Sequence, residues 1–345
     1  MNWLAEDDRL KRLSELGDPL EKIGKSIEWE LFRPVLSSAL QKEAKGPGGR
    51  PPWDYVLMFK IMMLQQWNNI ADDRTEYLIN DRLSYQRFLG LSLGDRVPDA
   101  KTLWLFREKL KEADAEKALF ELFKGQLESK GLITHAGSII DATFVDVPRP
   151  RNTREENQAI RKGEVPEEWQ KPENKAKLEQ KDTDARWAKK NGETHCGYKD
   201  HVKVDADSKL IVTSVVSDAA EHDSQAMEEL LDDNDQAAYA DSAYIGKAMH
   251  KRIRRKHPKL ALNVMERASR NHPLTAEQIS SNKVKSRVRV RVEHVFGHMT
   301  NAMGGLFIRS IGYPRASFSI TMKNLAYNLH RFTYLVGLEP QATAI

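Results

Sequence analysis

Three acids in this chain stand where a carboxylate can do chemistry. Asp141 interrupts the β-branched, apolar run GSIIDATFVDV, residues 137–147. An ionised carboxylate there is costly unless it is paired or bound to metal. Strand alternation puts Thr143 on its face and Asp146 on the opposite one. Asp241 follows the short apolar stretch AAYA, at a strand end, where α/β sheets place ligands. Two such carboxylates can hold magnesium, which takes a few carboxylates plus substrate phosphate oxygens. They can equally cap helices. The third acid, Glu293, lies in KVKSRVRVRVEHVFGHM among Lys285, Arg287, Arg289 and Arg291. Val288, Val290 and Val292 alternate with basic residues, which reads as a period-two strand. A helix would instead stack Arg289 and Glu293 one turn apart on one side. The residues alone leave both readings open.

Other groups compete for attention. Lys247, Lys251, Arg252, Arg254, Arg255, Lys256 and Lys259 form a basic run without an acid among them. Such a run is a solvated face, or a surface for a DNA backbone if it lies beside a nuclease site. In HDSQAMEELL, Asp223 reads as a helix cap, with His222 beside it as an accessory candidate. The single cysteine, Cys196, excludes an intrachain disulfide. With His195 and His201 it falls short of a four-ligand zinc site, so a partly buried thiol is expected.

The elements that position these groups divide the chain near Gly131. Residues 1–130 read as helical, with an apolar stripe at Ile27, Leu31, Val35 and Leu36. The basic, turn-rich KGPGGRPP (45–52) precedes a helix from Asp54 that is apolar on nearly all sides. Residues 72–90 read as one helix ending at glycine. Asp99 then caps another, with Lys101 and Arg107 on its solvent side. This pair is either a DNA-reading helix-turn-helix or an ordinary helical hairpin. From 131 on, strands at 137–147, 198–204, 210–216, 237–240 and 260–264 alternate with helices, giving an α/β domain with a mixed sheet. Residues 148–195 are polar and poor in aliphatics, so they are expected to be a mobile insertion. Trp169 and Trp187 within it point to docking on the body.

The chain has 345 residues, 40% hydrophobic and 30% charged, enough apolar material for a real core. Mean hydropathy is −0.61 and no run reaches bilayer length, and the start has no signal-peptide layout, so a soluble cytoplasmic protein without a membrane partner is expected. A net charge of +4 suggests an anionic partner.

Taken together, the motifs resemble the transposases of the IS5 group, within the wider IS4-like family of DDE transposases. GGRPPWDYVLMFKIMMLQQWNN, FLGL and VPDAKTLWLFR carry the likeness in the first half. DATFVDVP, GYKDHVKVDADSKL, AAEHDSQ, ADSAY, RVEHVFG and GGLFIRSIGYPRASFSITMKNLAYNLHRF carry it in the second. The order covers nearly the whole chain. The resemblance implies an α/β RNase H-like catalytic domain, a mixed sheet flanked by helices, over 131–345. It includes the insertion at 148–195 and a helical segment at 305–338, and it follows an all-α domain, 1–130, for DNA ends and dimerisation. It implies that Asp141, Asp241 and Glu293 are the catalytic, metal-holding triad, with Glu293 on a helix. Around the glutamate the family's spacing is Tyr, two residues, Arg, three, Glu, six, Lys. Arg289 and Glu293 match, while Ser286 and Thr300 occupy the other two positions.

Further implications follow from that likeness. Two Mg2+ ions, replaceable by Mn2+, would assist cleavage of double-stranded DNA at terminal inverted repeats and joining of the 3′-OH ends to target DNA. The protein would work as a homodimer or higher oligomer in a bacterial cytoplasm, on the nucleoid when DNA-bound. Expected DNA contacts are Arg289, Arg287, Arg291, Lys247, Lys251, Arg252, Arg254, Arg255, Lys101 and Arg107. Alternatives are an RNase H-like nuclease without strand transfer, and a domesticated, non-catalytic DNA-binding relative.

Overall fold

The computed structural model describes residues 3–41, 51–190 and 192–338. The chain forms two compact units, one comprising Met1–Leu127, Ala302–Gly304 and Met322–Ile345, the other Glu128–Asn301 and Gly305–Thr321.

The first unit is helical, as its apolar periodicity requires. Its helices are α1 (Trp3–Glu15), α2 (Pro19–Ser26), α3 (Arg33–Leu40), α4 (Tyr55–Asn68), α5 (Asp72–Asp81), α6 (Leu83–Leu89), α7 (Ala100–Glu112) and α8 (Ala115–Ser129). Asp54 caps α4 by accepting from Leu57 N at 2.9 Å. Nearly every side of α4 is buried, Phe59, Ile61, Met63 and Leu64 completely. Of KGPGGRPP, only Pro51 and Pro52 are among the described residues, both exposed. The single helix expected over 72–90 is two, because the backbone at Arg82 turns extended (φ −108°, ψ 115°). The stripe over residues 26–40 likewise splits, Trp29–Phe32 being a 3-10 turn before α3. Asp99 does cap α7, accepting from Thr102 N at 2.6 Å.

In the second unit, β1 (Ser138–Asp146) is the sheet's centre. The insertion follows: α9 (Arg154–Arg161), α10 (Glu167–Gln170), α11 (Lys175–Glu179) and β2 (Arg186–Lys190). Next come β3 (Glu193–Asp205), β4 (Ile211–Asp218), α12 (Met227–Leu230), β5 (Ala237–Ala240), α13 (Lys247–Lys256), β6 (Ala261–Val264) and α14 (Ala276–Asn301). Last is α15 (Tyr313–Leu338), whose residues from Met322 on belong to the first unit. The sheet order is β2-β3-β1-β5-β6, with β4 also on β3. β1, β3 and β4 run antiparallel, whereas β1, β5 and β6 run parallel. This mixed sheet flanked by helices is an RNase H-like fold.

Two expectations are corrected here. The insertion is not a bare loop: Trp169 is completely buried, its indole N–H donates to Glu156 Oε1 at 2.6 Å, and β2 extends the sheet along β3. The tryptophan is buried against the insertion's own Glu156, Lys177 and Lys181, and supplies burial that the local composition lacks. The closing helical segment does not lie wholly in the second unit either. Met322, Leu325, Ala326 and Leu329 are fully buried, and Ala326 O accepts from Trp67 Nε1 at 2.8 Å in the helical unit. One close approach explains a glycine: a Cβ at Gly197 (φ +150°) would lie 2.2 Å from Val145 O. Among the described residues no helix is long and apolar enough to cross a membrane.

Candidate active site

Parallel pairing brings the first two acids together. Ile140 pairs with Ala240, so Asp141 and Asp241 follow at the same step of β1 and β5. Asp241 also caps the 3-10 turn Ser242–Tyr244, its Oδ1 accepting from Ala243 N at 2.8 Å. Both expected roles of a strand-end acid, cap and ligand, are therefore open to one side chain. Glu293 lies on α14, which resolves the strand-or-helix conflict for the helix. The β-branched valines are tolerated there because Val292 and Val295 pack inward with Met299. Glu293 itself is exposed.

Arg289, one turn before Glu293, links the three acids. Its Nη2 donates to Asp141 Oδ2 at 2.7 Å, and Asp241 and Glu293 also act on its charge. Against the opposing effect of burial, these acids hold the guanidinium above its ordinary range. Asp141 is buried, and burial pushes its carboxyl above the ordinary carboxylate range. Arg289 and the Ala142 N–H, which donates to Oδ1 at 2.9 Å, oppose that push, while Asp241 adds to it. Tyr244, completely buried at the end of the turn that Asp241 caps, has a hydroxyl without a partner among the described residues. Burial first, then the charges of Asp141, Asp223 and Asp241, push that hydroxyl well up. In the sequence Tyr244 closes the ADSAY motif, three residues after Asp241.

The basic residues divide into free and engaged. Lys247, Lys251, Arg254 and Arg255 are exposed along α13, with Met249 and Ile253 turned inward. Arg252, on the same exposed face, pairs with Glu228. On α14, Arg287 is exposed. Arg291 is not free: Nη1 donates to Ala206 O at 2.6 Å and to Asp207 Oδ1 at 2.8 Å. In the helical unit Lys101 is exposed, but Arg107 is not the solvent-facing contact expected. It grips Asp72, Nη2 to Oδ2 at 2.6 Å, and touches Gln65 Oε1 at 3.1 Å. A guanidinium opposite a half-buried carboxylate completes an ion pair before it reaches solvent.

The cap assignment in HDSQ moves by one residue. His222 is the N-cap, Nδ1 accepting from Ser224 N at 3.3 Å. Asp223 instead takes Lys199 Nζ at 2.7 Å. Zinc at Cys196 is excluded by strand alternation, since His195 and His201 face away from the thiol. His195 stacks on Phe144 and His201 meets Ser217 Oγ at 2.8 Å. Burial pushes the Cys196 thiol up to about 11.

Among the described residues, the ligand atoms that all lie within 4.8 Å of one another are those of His135, Asp232 and Asp235, not those of the three acids. That cluster already has a cation. Lys203 Nζ, completely buried, donates to Asp232 at 2.6 Å and Asp235 at 2.9 Å, and Ser138 Oγ donates to Asp235 Oδ1 at 2.7 Å. It is a structural ion pair. The sequence signal was available in KDHVKVD, where Lys199, His201 and Lys203 share one face of β3 by alternation.

Asp141 within β1, Asp241 just past the end of the neighbouring β5, and Glu293 on α14 one turn after the arginine that bonds Asp141 make up the candidate site. The chain matches the family described as Transposase DDE domain over residues 134–329, more than half its length, and belongs to that family. Residues 8–109 match a further transposase domain, DUF772. The chain is thus a transposase, a DNA-cutting and joining enzyme. Among solved structures it is similar to the piggyBac transposase synaptic complex with hairpin DNA. That likeness has a TM-score of 0.47 and 10% identity, over 90% of this chain and 74% of that one.

Proposed function

We propose that this transposase is of the IS5 group and binds the terminal repeats of its insertion sequence. In this reading it cleaves phosphodiesters there and joins the freed 3′-OH ends to target DNA. Asp141, Asp241 and Glu293 form its metal-holding triad. The observation that carries the reading is Arg289, which lies in the field of all three acids while bonded to the buried Asp141.

The donor set is all oxygen and anionic, which suits Mg2+, with Mn2+ able to replace it. Carboxylates spread wider than one coordination sphere suit a pair of ions. When bound, such ions lower the pKa of water and offset charge developing on phosphate oxygens. The chain's own groups do the positioning. β1 and β5 present Asp141 and Asp241 side by side, and α14 brings Glu293 and Arg289 one turn apart. Arg289 is placed to donate to a non-bridging phosphate oxygen. Water attack at phosphorus would break the P–O3′ bond, leaving a 3′-OH and a 5′-phosphate; that hydroxyl would then attack a target phosphodiester and displace its O3′, with no covalent bond to the protein. Exposed Lys247, Lys251, Arg254 and Arg255 supply sequence-independent contacts to the duplex backbone.

We assign recognition of the element's ends, and pairing of two or more copies on DNA, to the helical unit, with Lys101 on the capped helix α7. The setting is the bacterial cytoplasm, on the nucleoid when the protein is bound to DNA. A supercoiled donor carrying the element's ends, a second target plasmid and Mg2+ provide the test. Ends should be nicked and joined to the target, and Asp141→Asn and Glu293→Gln should each lose both steps while retaining DNA binding. Cutting without joining would leave a nuclease; full cutting by either variant would remove the triad assignment.

A further inference from the structure

Arg289 has five N–H donors, and the structure provides one strong acceptor for them. Nη2 donates to Asp141 Oδ2 at 2.7 Å. Among the described residues Nη1 meets only the thioether of Met265, at 3.8 Å, and Nε is buried without a partner. The arginine side chain is 18% exposed, and Nε is shut off from water. Leaving buried donors unfilled is costly, and a cation makes it more so. Asp141 is in the opposite condition. Oδ1 takes the Ala142 N–H and Oδ2 takes the guanidinium. Arg289 holds one of the two Asp141 oxygens, and a dication beside a guanidinium on one carboxylate is strongly repelled.

We propose that Arg289 is the resident cation of the acidic site, a positioning residue that releases Asp141 when metal and DNA phosphate arrive together. The inference rests on the reading of Asp141, Asp241 and Glu293 as metal ligands. In the free protein the guanidinium neutralises the acids and holds Asp141 in place. Once displaced, its unfilled donors take two oxygens of a phosphodiester in a bidentate pair. Metal alone must evict Arg289 without offering it a new acceptor. Metal with a phosphodiester offers one. Metal and DNA binding are therefore coupled, and the coupling is reciprocal. Off DNA, the protein loads metal poorly and is restrained from cutting.

The test is the Mn2+ affinity of the full chain, read from the free-ion resonance signal, with and without a mixed-sequence duplex. Wild type should bind Mn2+ weakly alone and about ten-fold more tightly with duplex, inside the usual range of coupling. Arg289→Gln should bind Mn2+ alone about ten-fold more tightly than wild type and lose most of the coupling to duplex. Arg289→Lys keeps the charge without the fork and should fall between the two, which preserves the test if the Gln variant does not fold. If Asp141→Asn and Glu293→Gln leave Mn2+ binding unchanged, the metal-site reading itself fails. If those acids matter but neither Arg289 variant binds Mn2+ more tightly than wild type, the metal site stands and the resident-cation proposal is overturned.

Discussion

Replacing Asp241 separates its two structural roles. The carboxylate caps the turn Ser242–Tyr244 through Ala243 N and, in our reading, holds metal. Asparagine caps as well as aspartate, so Asp241→Asn should keep the turn and change stability by less than about 0.5 kcal/mol. It also removes one of the charges that push the Asp141 carboxyl up, an effect in the stabilising direction. Asp241→Ala loses the cap and should cost roughly 0.5–1 kcal/mol, the lower half of the usual range because the turn is short. For a unit of this size that is a fall in Tm of about 1–4 °C. Chemistry should respond differently. Loss of one metal ligand costs several kcal/mol of transition-state stabilisation, and about 4 kcal/mol is roughly a thousand-fold in rate. Both variants should therefore lose strand cleavage alike while only the Ala variant melts early. The assays are nicking of a supercoiled donor in Mg2+ and a thermal melt of the same preparations. Cleavage by Asp241→Asn within about ten-fold of wild type would refute the ligand role. Equal melting of the Asn and Ala variants would refute the cap.

Four further outcomes can be checked. Changing Lys251, Arg254 and Arg255 together to Ala, leaving the Glu228-paired Arg252 alone, should reduce the salt dependence of binding by roughly 0.9 per lost contact for any duplex. An unchanged slope would return α13 to a solvated face. Burial depresses His201 to about 4, with Lys199 and Lys190 reinforcing and Asp223 opposing. Its folded value lies below the ordinary 6.5, so the unfolded chain takes up the proton first. Stability is thus complete above pH 6.5 and lost as pH falls toward 4, by about 2 kcal/mol at pH 5. Urea midpoints of wild type and His201→Gln at pH 7 and 5 should show that difference only in wild type. Trp169→Ala should cost roughly 3–5 kcal/mol within the insertion and expose residues 148–185 to protease at low enzyme ratios. Gly197→Ala should destabilise the sheet by roughly 2 kcal/mol or more, because Val145 O cannot move without breaking the β1–β3 ladder, and chemical denaturation reads it directly.

What the sequence made legible followed from strong periodicity or from caps. Asp99 and Asp54 announced their helices, and the runs around Asp141 and Asp241 announced strands, which the structure pairs in parallel. Pattern alone misled at Glu293, where Val288, Val290 and Val292 imitate a strand, because a period-two alternation of valine and arginine does not record which neighbours will cover it. The insertion misled for a related reason: one tryptophan and one edge strand supply burial that average composition hides. Arg107 and Arg291 looked free because their partners, Asp72 and Asp207, lie far away in the chain. Long-range pairing of charges leaves no local signature.

The division of α15 bears on the order in which this protein can be made. Met322 to Phe332 contribute buried side chains to the helical unit, where Phe332 meets the Phe123 ring edge-on at 5.7 Å. Leu127 leaves the ribosome about 200 residues before Met322 does. At roughly 5–20 residues per second, the helical unit waits about 10–40 s for its last apolar element. During that interval the surfaces of Trp67 and Phe123 that α15 will cover stay open to chaperones or to other nascent chains. Translation that stops early, after Glu293 has been made, yields a chain with Asp141, Asp241 and Glu293 all present and its helical unit unfinished.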